Sequence, residues 1–350
     1  MKITNLRIIG SGLIGTSIAL KATELGFKVE LLDSDLSAEN LARDLIAQGE
    51  SNLEPDFVII ATPPTSRMAI LSREYKANPS ATFIDVASVM NDLQVQVEAL
   101  TGLFPNFIQT HPIAGREISG AKGARSDLFE GRAWVISTST AATGERLEMV
   151  EEFIRSMGAT PYRMENKEHD ALFAAISHLP QAISISLGAA ISESAGEFSL
   201  AGQGLRDMLR IADSDSGLWA EIFAANREEV VAMISKLEIE IASMKRAIGE
   251  GDFAKLKERF AIAAESKARV GGKHGARPRN YSFVNIVIDD RPGQLAAIFN
   301  ECARISVNVE DLSLEHSPQQ LTGLIRLALS EADAAKLHQH LHANGWRVHI

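Results

Sequence analysis

Cysteine is almost missing from the sequence: Cys302 is the only one in 350 residues. That excludes an internal disulfide and any metal site built on several thiolates, and it fits a reducing cytoplasm. Positive charge is also scarce, with 35 Lys and Arg against 45 Asp and Glu, a formal net charge of −10. Such a balance argues against general nucleic-acid binding, which needs clustered cations on phosphates. It also means that an anionic small molecule would need a local cationic pocket. Aromatic residues make up 6%, so Trp134 and Trp219 read as core or interface residues rather than stacking platforms. Long apolar runs are lacking too. The stretch Ile8–Leu20 follows Lys2 and Arg7 like a secretion signal, but Lys21 and Glu24 interrupt it at once and its glycines are patterned. Nothing else approaches the roughly 18 apolar residues of a membrane span. No membrane, no metal and a cytoplasmic location are therefore expected.

What is present is ordinary for a globular protein, 45% hydrophobic and 23% charged, in a chain long enough for two or three domains. Residues 1–165 alternate short apolar runs (Leu6–Ile9, Lys28–Leu32, Phe57–Ala61, Thr82–Val86, Ala133–Ser137) with helix-length stretches. The runs suit parallel strands buried on both faces, and the whole a doubly wound α/β sheet of the Rossmann type. Over residues 166–270 the strand-like runs stop and helical spacing takes over, most clearly at Leu218, Ile222, Val230, Ile234, Leu237, Ile241, Met244 and Ile248. An all-helical domain with one long helix is expected there, and a homodimer through it. Residues 271–281, rich in glycine and basic residues, read as a linker. Residues 282–350 follow the order βαββαβ, a ferredoxin-like arrangement. Its strands are Ser282–Ile288, Val307–Leu314, Leu321–Leu329 and Trp346–Ile350; Leu295, Ile298, Phe299 and Cys302 mark one helix face, and Ser330 with Asp333 begins the second helix.

Chemistry concentrates first in Gly10-Ser11-Gly12-Leu13-Ile14-Gly15, which follows a strand and opens a helix, with Asp33 at the end of the next strand. That context turns a weak glycine pattern into a dinucleotide fingerprint. Gly10 permits the turn, Gly12 lets backbone approach a pyrophosphate, Gly15 allows close packing, and the helix N-terminus favours the anion. Asp33 would accept from ribose hydroxyls and repel a 2′-phosphate, so NAD is favoured over NADP. A second cluster, Thr110-His111-Pro112-Ile113-Ala114-Gly115-Arg116-Glu117, lies at the end of the strand Phe107–Thr110 as a rigid loop. Arg116, Lys122 and Arg125 gather just after it, as an anionic substrate would require. His338, His340, His342 and His349 lack acidic or Cys partners at ligand spacing and read as surface residues.

The segment His111-Pro112-Ile113-Ala114-Gly115, the later Ser177-His178-Leu179-Pro180 and Arg206-Asp207-Met208-Leu209-Arg210-Ile211-Ala212 resemble, in order and spacing, the signatures of the prephenate dehydrogenase family. Asp85-Val86-Ala87-Ser88-Val89 and Ala61-Thr62-Pro63-Pro64 fit the same pattern, and the likeness covers residues 1 to about 270. The C-terminal unit, with Asp290-Arg291-Pro292-Gly293 after its first strand, resembles an ACT domain.

The resemblance implies an NAD-dependent oxidative decarboxylation of prephenate, or of its aminated form arogenate, in tyrosine biosynthesis. It implies His111 as the base or acceptor for the C4 hydroxyl and Ser88 as the residue orienting it. His178 and Arg210 would bind substrate, with Glu117, Asp207 and Arg116 as further pocket residues. Thr62 and Pro63 would pass the cofactor. Asp290, Pro292 and Gly293 would receive an amino-acid effector, tyrosine being the expected one. Two other readings stand beside this. A hydroxyacid-type dehydrogenase would need a catalytic lysine in the helical domain, where Lys167 has no motif around it. A non-catalytic sensor would bind NAD and an amino acid without turnover.

Overall fold

Runs of branched apolar residues separated by helices build the first unit, residues 1–243 of a chain that divides into two compact units, the second being 244–350. The computed structural model describes residues 3–47, 54–100, 104–116, 118–192, 198–270, 281–316 and 322–349. In order come β1 (Asn5–Ile9), α1 (Leu13–Glu24), β2 (Lys28–Leu32), α2 (Leu36–Ile46), β3 (Phe57–Ile60), α3 (Arg67–Ala77), β4 (Thr82–Asp85), α4 (Asn91–Ala99), β5 (Phe107–Pro112), β6 (Ala133–Ser137), α5 (Gly144–Ser156) and β7 (Thr160–Met164). They form one sheet in the order β2-β1-β3-β4-β5-β6-β7. Every residue of β3 and β4 is buried, as parallel strands covered on both faces require. β1 pairs in parallel with β2 on one side and β3 on the other. The winding therefore reverses at β1, and a crevice opens beyond the carboxyl ends of β1 and β3.

Two features depart from the sequence expectation. β6 runs antiparallel to β5, pairing His111 with Val135 and Thr110 with Ile136. Parallel neighbours need a crossover helix, and the described part of the connection from β5 to β6 holds only a short 3-10 turn, Ala121–Gly123. β7 was not expected as a strand at all. It is an edge strand with Pro161 and Arg163 and no buried residue, so its sequence lacks the apolar signature, and proline is tolerated there.

Behind the crevice lies a fully buried guanidinium. Arg67 donates from Nη1 to Asp85 Oδ2 (2.7 Å) and the Val89 carbonyl (2.8 Å), and from Nη2 to Asp92 Oδ1 (2.7 Å). One side chain thus ties α3 to the end of β4 and the start of α4. Burial pushes the Asp85 carboxyl up to about 6, against the pull of Arg67.

The helical part of the first unit begins with α6 (Asn166–Phe173), a π-helical turn (Ala174–His178) and α7 (Leu179–Ser192). Pro180 has no N–H to return to the preceding turn, which favours the wider loop there. By length and composition alone Asn166–Ser192 is apolar enough to cross a membrane, which the sequence reading did not anticipate. It nevertheless carries buried His169, Asp170, His178 and Gln181, each hydrogen-bonded within the unit. Then follow α8 (Gln203–Leu209), α9 (Ser216–Ala225) and α10 (Arg227–Glu250). The expected single helix through 218–248 is broken at Asn226, whose buried amide Nδ2 donates to the Asp170 carbonyl (2.9 Å).

The second unit contains the end of α10, α11 (Phe253–Arg269), β8 (Ser282–Asp289), α12 (Gln294–Arg304), β9 (Asp311–His316), β10 (Thr322–Leu329), α13 (Glu331–Ala343) and β11 (Arg347–His349). Its antiparallel sheet has the order β11-β8-β10-β9. Val284, Ile286 and Ile288 alternate inward from β8 onto Ile298, Cys302, Leu337 and Leu341 of the two helices. Ser330 accepts the Asp333 amide and caps α13 as its sequence suggests. β9 starts at Asp311, later than expected, because Val307 is buried against the end of α12 and its amide goes to the Cys302 carbonyl. Of the expected linker, residues 271–281, all but Tyr281 lie outside the described residues.

Replacing Arg67 by Met leaves Asp85 buried without its partner. Denaturant unfolding is expected to show a loss of about 3–5 kcal/mol, partly recovered in the Arg67→Met/Asp85→Asn double variant.

Candidate active site

The glycine loop is shaped by contacts that leave no room for side chains on two sides and ample room on the third. Gly10 has φ +108°, and a Cβ there would stand 2.3 Å from the Ala61 carbonyl oxygen; one at Gly15 would stand 1.9 Å from the Gly10 oxygen. At Gly12 a Cβ would meet nothing within 4 Å, so the open side of the loop faces free space at the N-terminus of α1. Ser11, Leu13 and Ile14 complete the turn. Thr62, beside Gly10, has a buried hydroxyl without a hydrogen-bond partner, and Pro63 is exposed next to it. A tight loop, a helix N-terminus, an open face and an unpaired hydroxyl fit a dinucleotide phosphate.

Asp33 does more than await a ribose. Its Oδ2 accepts from the Ser11 amide (2.6 Å) and hydroxyl (2.8 Å), and its Oδ1 from the Asp35 amide (2.9 Å). Burial opposes its charge, but these hydrogen bonds hold the carboxyl below the usual range. The Asp33 amide donates to Glu39 (2.7 Å), and Glu39 pairs with Arg43 (2.9 Å). The first cation after Asp33 is thus engaged by an acid.

His111 belongs to the sheet itself. Pairing with β6 extends β5 to Pro112, so the residue expected on a loop sits on a hydrogen-bonded strand. Its Nδ1 lies 2.9 Å from Nε2 of His169, whose Nδ1 lies 2.7 Å from Asp170 Oδ1. The Asp170 carboxylate accepts the backbone amides of Met90 (3.0 Å) and Asn91 (2.8 Å) at the start of α4. Phe173 lies against both imidazoles, with ring centroids at 4.7 and 4.4 Å. Burial, with the neighbouring histidines adding to it, pulls the His111 pKa well below its ordinary value, so the ring is neutral and basic at its free nitrogen. His178, at the end of the π-helical turn, is buried beside Asn226 (3.1 Å) and meets the edge of Trp219. Burial lowers its pKa to about 4, although Asp170 pulls the other way.

A buried polar chain completes the floor. Ser137 donates to Asn166, whose Nδ2 donates to Gln109 Oε1 (2.7 Å), and Gln109 Nε2 donates to the Met90 carbonyl (2.7 Å). These residues bring β5, β6, α6 and the start of α4 to one point.

Of the residues singled out from sequence, His111 and His178 share this neighbourhood, and Ser88 lies half-buried in the loop pinned by Arg67 and Asp170. His111 Nδ1 is met by His169, not by Ser88. Arg116 is exposed and donates to the Gly123 carbonyl (2.8 Å), while the nearby Arg125 is tied to Asp127 by two bonds (2.7 and 2.6 Å). That pairing reduces the cationic cluster expected there. Arg210 is exposed beyond α8, and Asp207 is exposed and accepts from Gln203 (2.7 Å). Glu117 lies outside the described residues. Sequence reading missed His169, Asp170 and Asn226. The adjacent His-Asp pair three residues into a helix was the available signal.

Comparison with known proteins accords with this geometry. The family profile described as prephenate dehydrogenase, nucleotide-binding domain, matches residues 17–162, and that described as prephenate dehydrogenase, dimerization domain, matches residues 165–262. The probable prephenate dehydrogenase NovF of Streptomyces niveus is 26% identical over 97% of this chain and 98% of its own length. The prephenate dehydrogenase of Bacillus subtilis is 24% identical over 94% and 93%. Among solved structures, the prephenate dehydrogenase of A. aeolicus in complex with hydroxyphenyl propionate and NAD+ superposes with a TM-score of 0.68 at 27% identity, covering 76% of this chain and 98% of that one. A glycine loop built for a dinucleotide and a neutral, half-buried histidine at the same sheet edge thus meet matches along most of the sequence, and the chain belongs to the prephenate dehydrogenase family of NAD-dependent oxidoreductases.

Proposed function

We propose that this chain oxidises prephenate with NAD and releases CO2, giving 4-hydroxyphenylpyruvate for tyrosine formation, with arogenate as the alternative substrate. The observation that carries the reading is the neutral His111, engaged at Nδ1 by His169 and set on β5 at the edge where the glycine loop opens. A bound nicotinamide supplies the hydride acceptor. The loop Gly10–Gly15, Asp33, Thr62 and Pro63 hold the dinucleotide. His111 accepts the hydrogen bond of the C4 hydroxyl as hydride leaves that carbon. The ring carboxylate departs as CO2 and leaves its bonding pair in the ring, which becomes aromatic. A proton taken up by His111 returns to the phenolic oxygen, so no proton is released overall. Ser88 and His178 line the substrate cleft, and Arg210, with Arg116 as a further candidate, meets carboxylates, for which a guanidinium fork is suited; Glu117 and Asp207 are further polar pocket candidates.

Apolar side chains exposed on α10 and α11, among them Ile239, Ile241, Phe253 and Phe260, support a homodimer formed through the helical region. For the second unit the reading is an ACT-like, ferredoxin-like regulatory domain. Gly293, at φ +90°, opens the N-terminus of α12 beside Asp290 and Pro292, where an amino-acid carboxylate would find backbone donors. A purely structural role in dimerisation is the competing reading for this unit.

Reduced cofactor followed at 340 nm, with prephenate and arogenate each offered with NAD and NADP, tests the assignment. Turnover with NAD and prephenate is expected; NAD binding without turnover of either substrate would favour a sensor. His111→Asn should lower kcat about 10²–10⁴-fold. Because burial depresses the His111 pKa, its basic form persists as pH falls. The kcat/KM profile should therefore stay level through about 6.5, the ordinary histidine value, and bend only below it. Tyrosine should inhibit on titration, and a flat response to both tyrosine and phenylalanine would leave the C-terminal unit a structural module.

A further inference from the structure

A base is useful only if its free lone pair faces the substrate, and for imidazole that depends on which nitrogen carries the proton. The chain of contacts behind His111 fixes this. The Asp170 carboxylate has two backbone amides on it, from Met90 and Asn91, and can only accept. His169 Nδ1, 2.7 Å from Asp170 Oδ1, must therefore carry its proton. An imidazole that holds one proton and holds it on Nδ1 presents a lone pair at Nε2, here to His111 Nδ1 at 2.9 Å. His111 Nδ1 must donate, which leaves His111 Nε2 as the unprotonated nitrogen. His169 is fully buried and Asp170 nearly so, and Phe173 lies against both rings, so water does not compete for the bond between His169 and Asp170.

We infer that His169 and Asp170 are positioning residues that set the tautomer of His111 and steady the imidazolium it becomes when the substrate hydroxyl gives up its proton. The proton enters at His111 Nε2 and leaves from the same atom; Nδ1–H stays on His111, and its bond to His169 Nε2 shortens the distance over which Asp170 compensates the new charge. Nothing moves along the chain. The carboxylate acts through one interposed ring, where the serine hydrolase arrangement has the acid directly on the catalytic histidine. The kinetic consequence rests on the dehydrogenase reading; the tautomer does not.

The test therefore has two arms. In the first, the full-length protein is labelled with 15N-histidine, and the His111 signals are assigned by their loss in His111→Asn. His111 Nε2 should resonate as an unprotonated nitrogen and Nδ1 as a protonated one; the reverse pattern would overturn the proposal whatever the enzyme's substrate. In the second, Asp170→Asn can keep its oxygen on the Met90 and Asn91 amides while turning its NH2 toward His169. That flips His169 and with it His111. The expected result is a fall in kcat of about 10²–10⁴-fold with KM for NAD within a few-fold of the parent, and exchanged nitrogen signals at His111. His169→Gln, whose amide oxygen can still accept from His111 Nδ1, should retain more activity than His169→Leu. Parent-like kcat in Asp170→Asn with the signals exchanged, or equal activity in Gln and Leu variants, would sink the positioning role. Should Asp170→Asn not fold, the nitrogen signals of the parent still decide the tautomer.

Discussion

Much of the first unit hangs on where the Asp170 carboxylate puts its lone pairs. It sits on the helical side of the unit, yet it supplies the acceptor for two backbone amides at the start of α4, which otherwise has no side-chain cap of its own. A buried helix start without acceptors would be costly, because free amides there have no water to turn to. The same oxygens orient His169, and the Asp170 carbonyl holds Asn226, which interrupts the helical run between α9 and α10. One residue thus satisfies a helix end, orders an imidazole and sets a helix break. Arg67 works on the other flank of the same loop through Val89 and Asp92, so residues 85–92, including Ser88, are held from both sides.

Electrostatically the site is a lesson in keeping charge where it can be used. Its two pocket histidines are driven neutral by burial, whereas the acids nearby remain tied to amides or to a guanidinium. An uncharged base in an apolar surround accepts a hydrogen bond more strongly than it would in water, and does not attract the substrate's carboxylates to itself. Arg116 and Arg210, by contrast, lie exposed, in a protein whose overall charge is negative.

How far the sequence spoke depends on the range of the interaction. The fingerprint Gly10–Gly15 with Asp33 is a local device, and its geometry follows from a turn and a helix start, so it was legible down to single residues. The alternation in β8 and the cap at Ser330 were legible for the same reason. The direction of β6 was not, since nothing in Ala133–Ser137 says whether its neighbour runs with it or against it; only the lack of a crossover helix decides. β7 is a strand because an edge was available, not because Thr160–Met164 prefers to be one. His169 and Asp170 escaped for a different reason. Their partners His111, Met90 and Asn91 lie 58 to 80 residues away in the chain, and a helical His-Asp pair has no pattern that announces so distant a contact. Conversely, Arg116, Lys122 and Arg125 looked like one cationic patch in sequence, but Asp127, two residues on from Arg125, pairs with it.

The antiparallel turn-back of β6 has a consequence for how this enzyme family can vary. Because the strand ladder reaches as far as His111, that residue is anchored by main-chain bonds that no side-chain replacement removes. The 20 residues between β5 and β6 then leave from an immovable point and return to one. They can lengthen, shorten or change composition, and so redraw the rim of the cleft, while the reacting centre keeps its coordinates. With the role proposed for His111, a scaffold that separates a strand-anchored histidine from an editable border would allow new ring substrates to be tried without displacing that side chain.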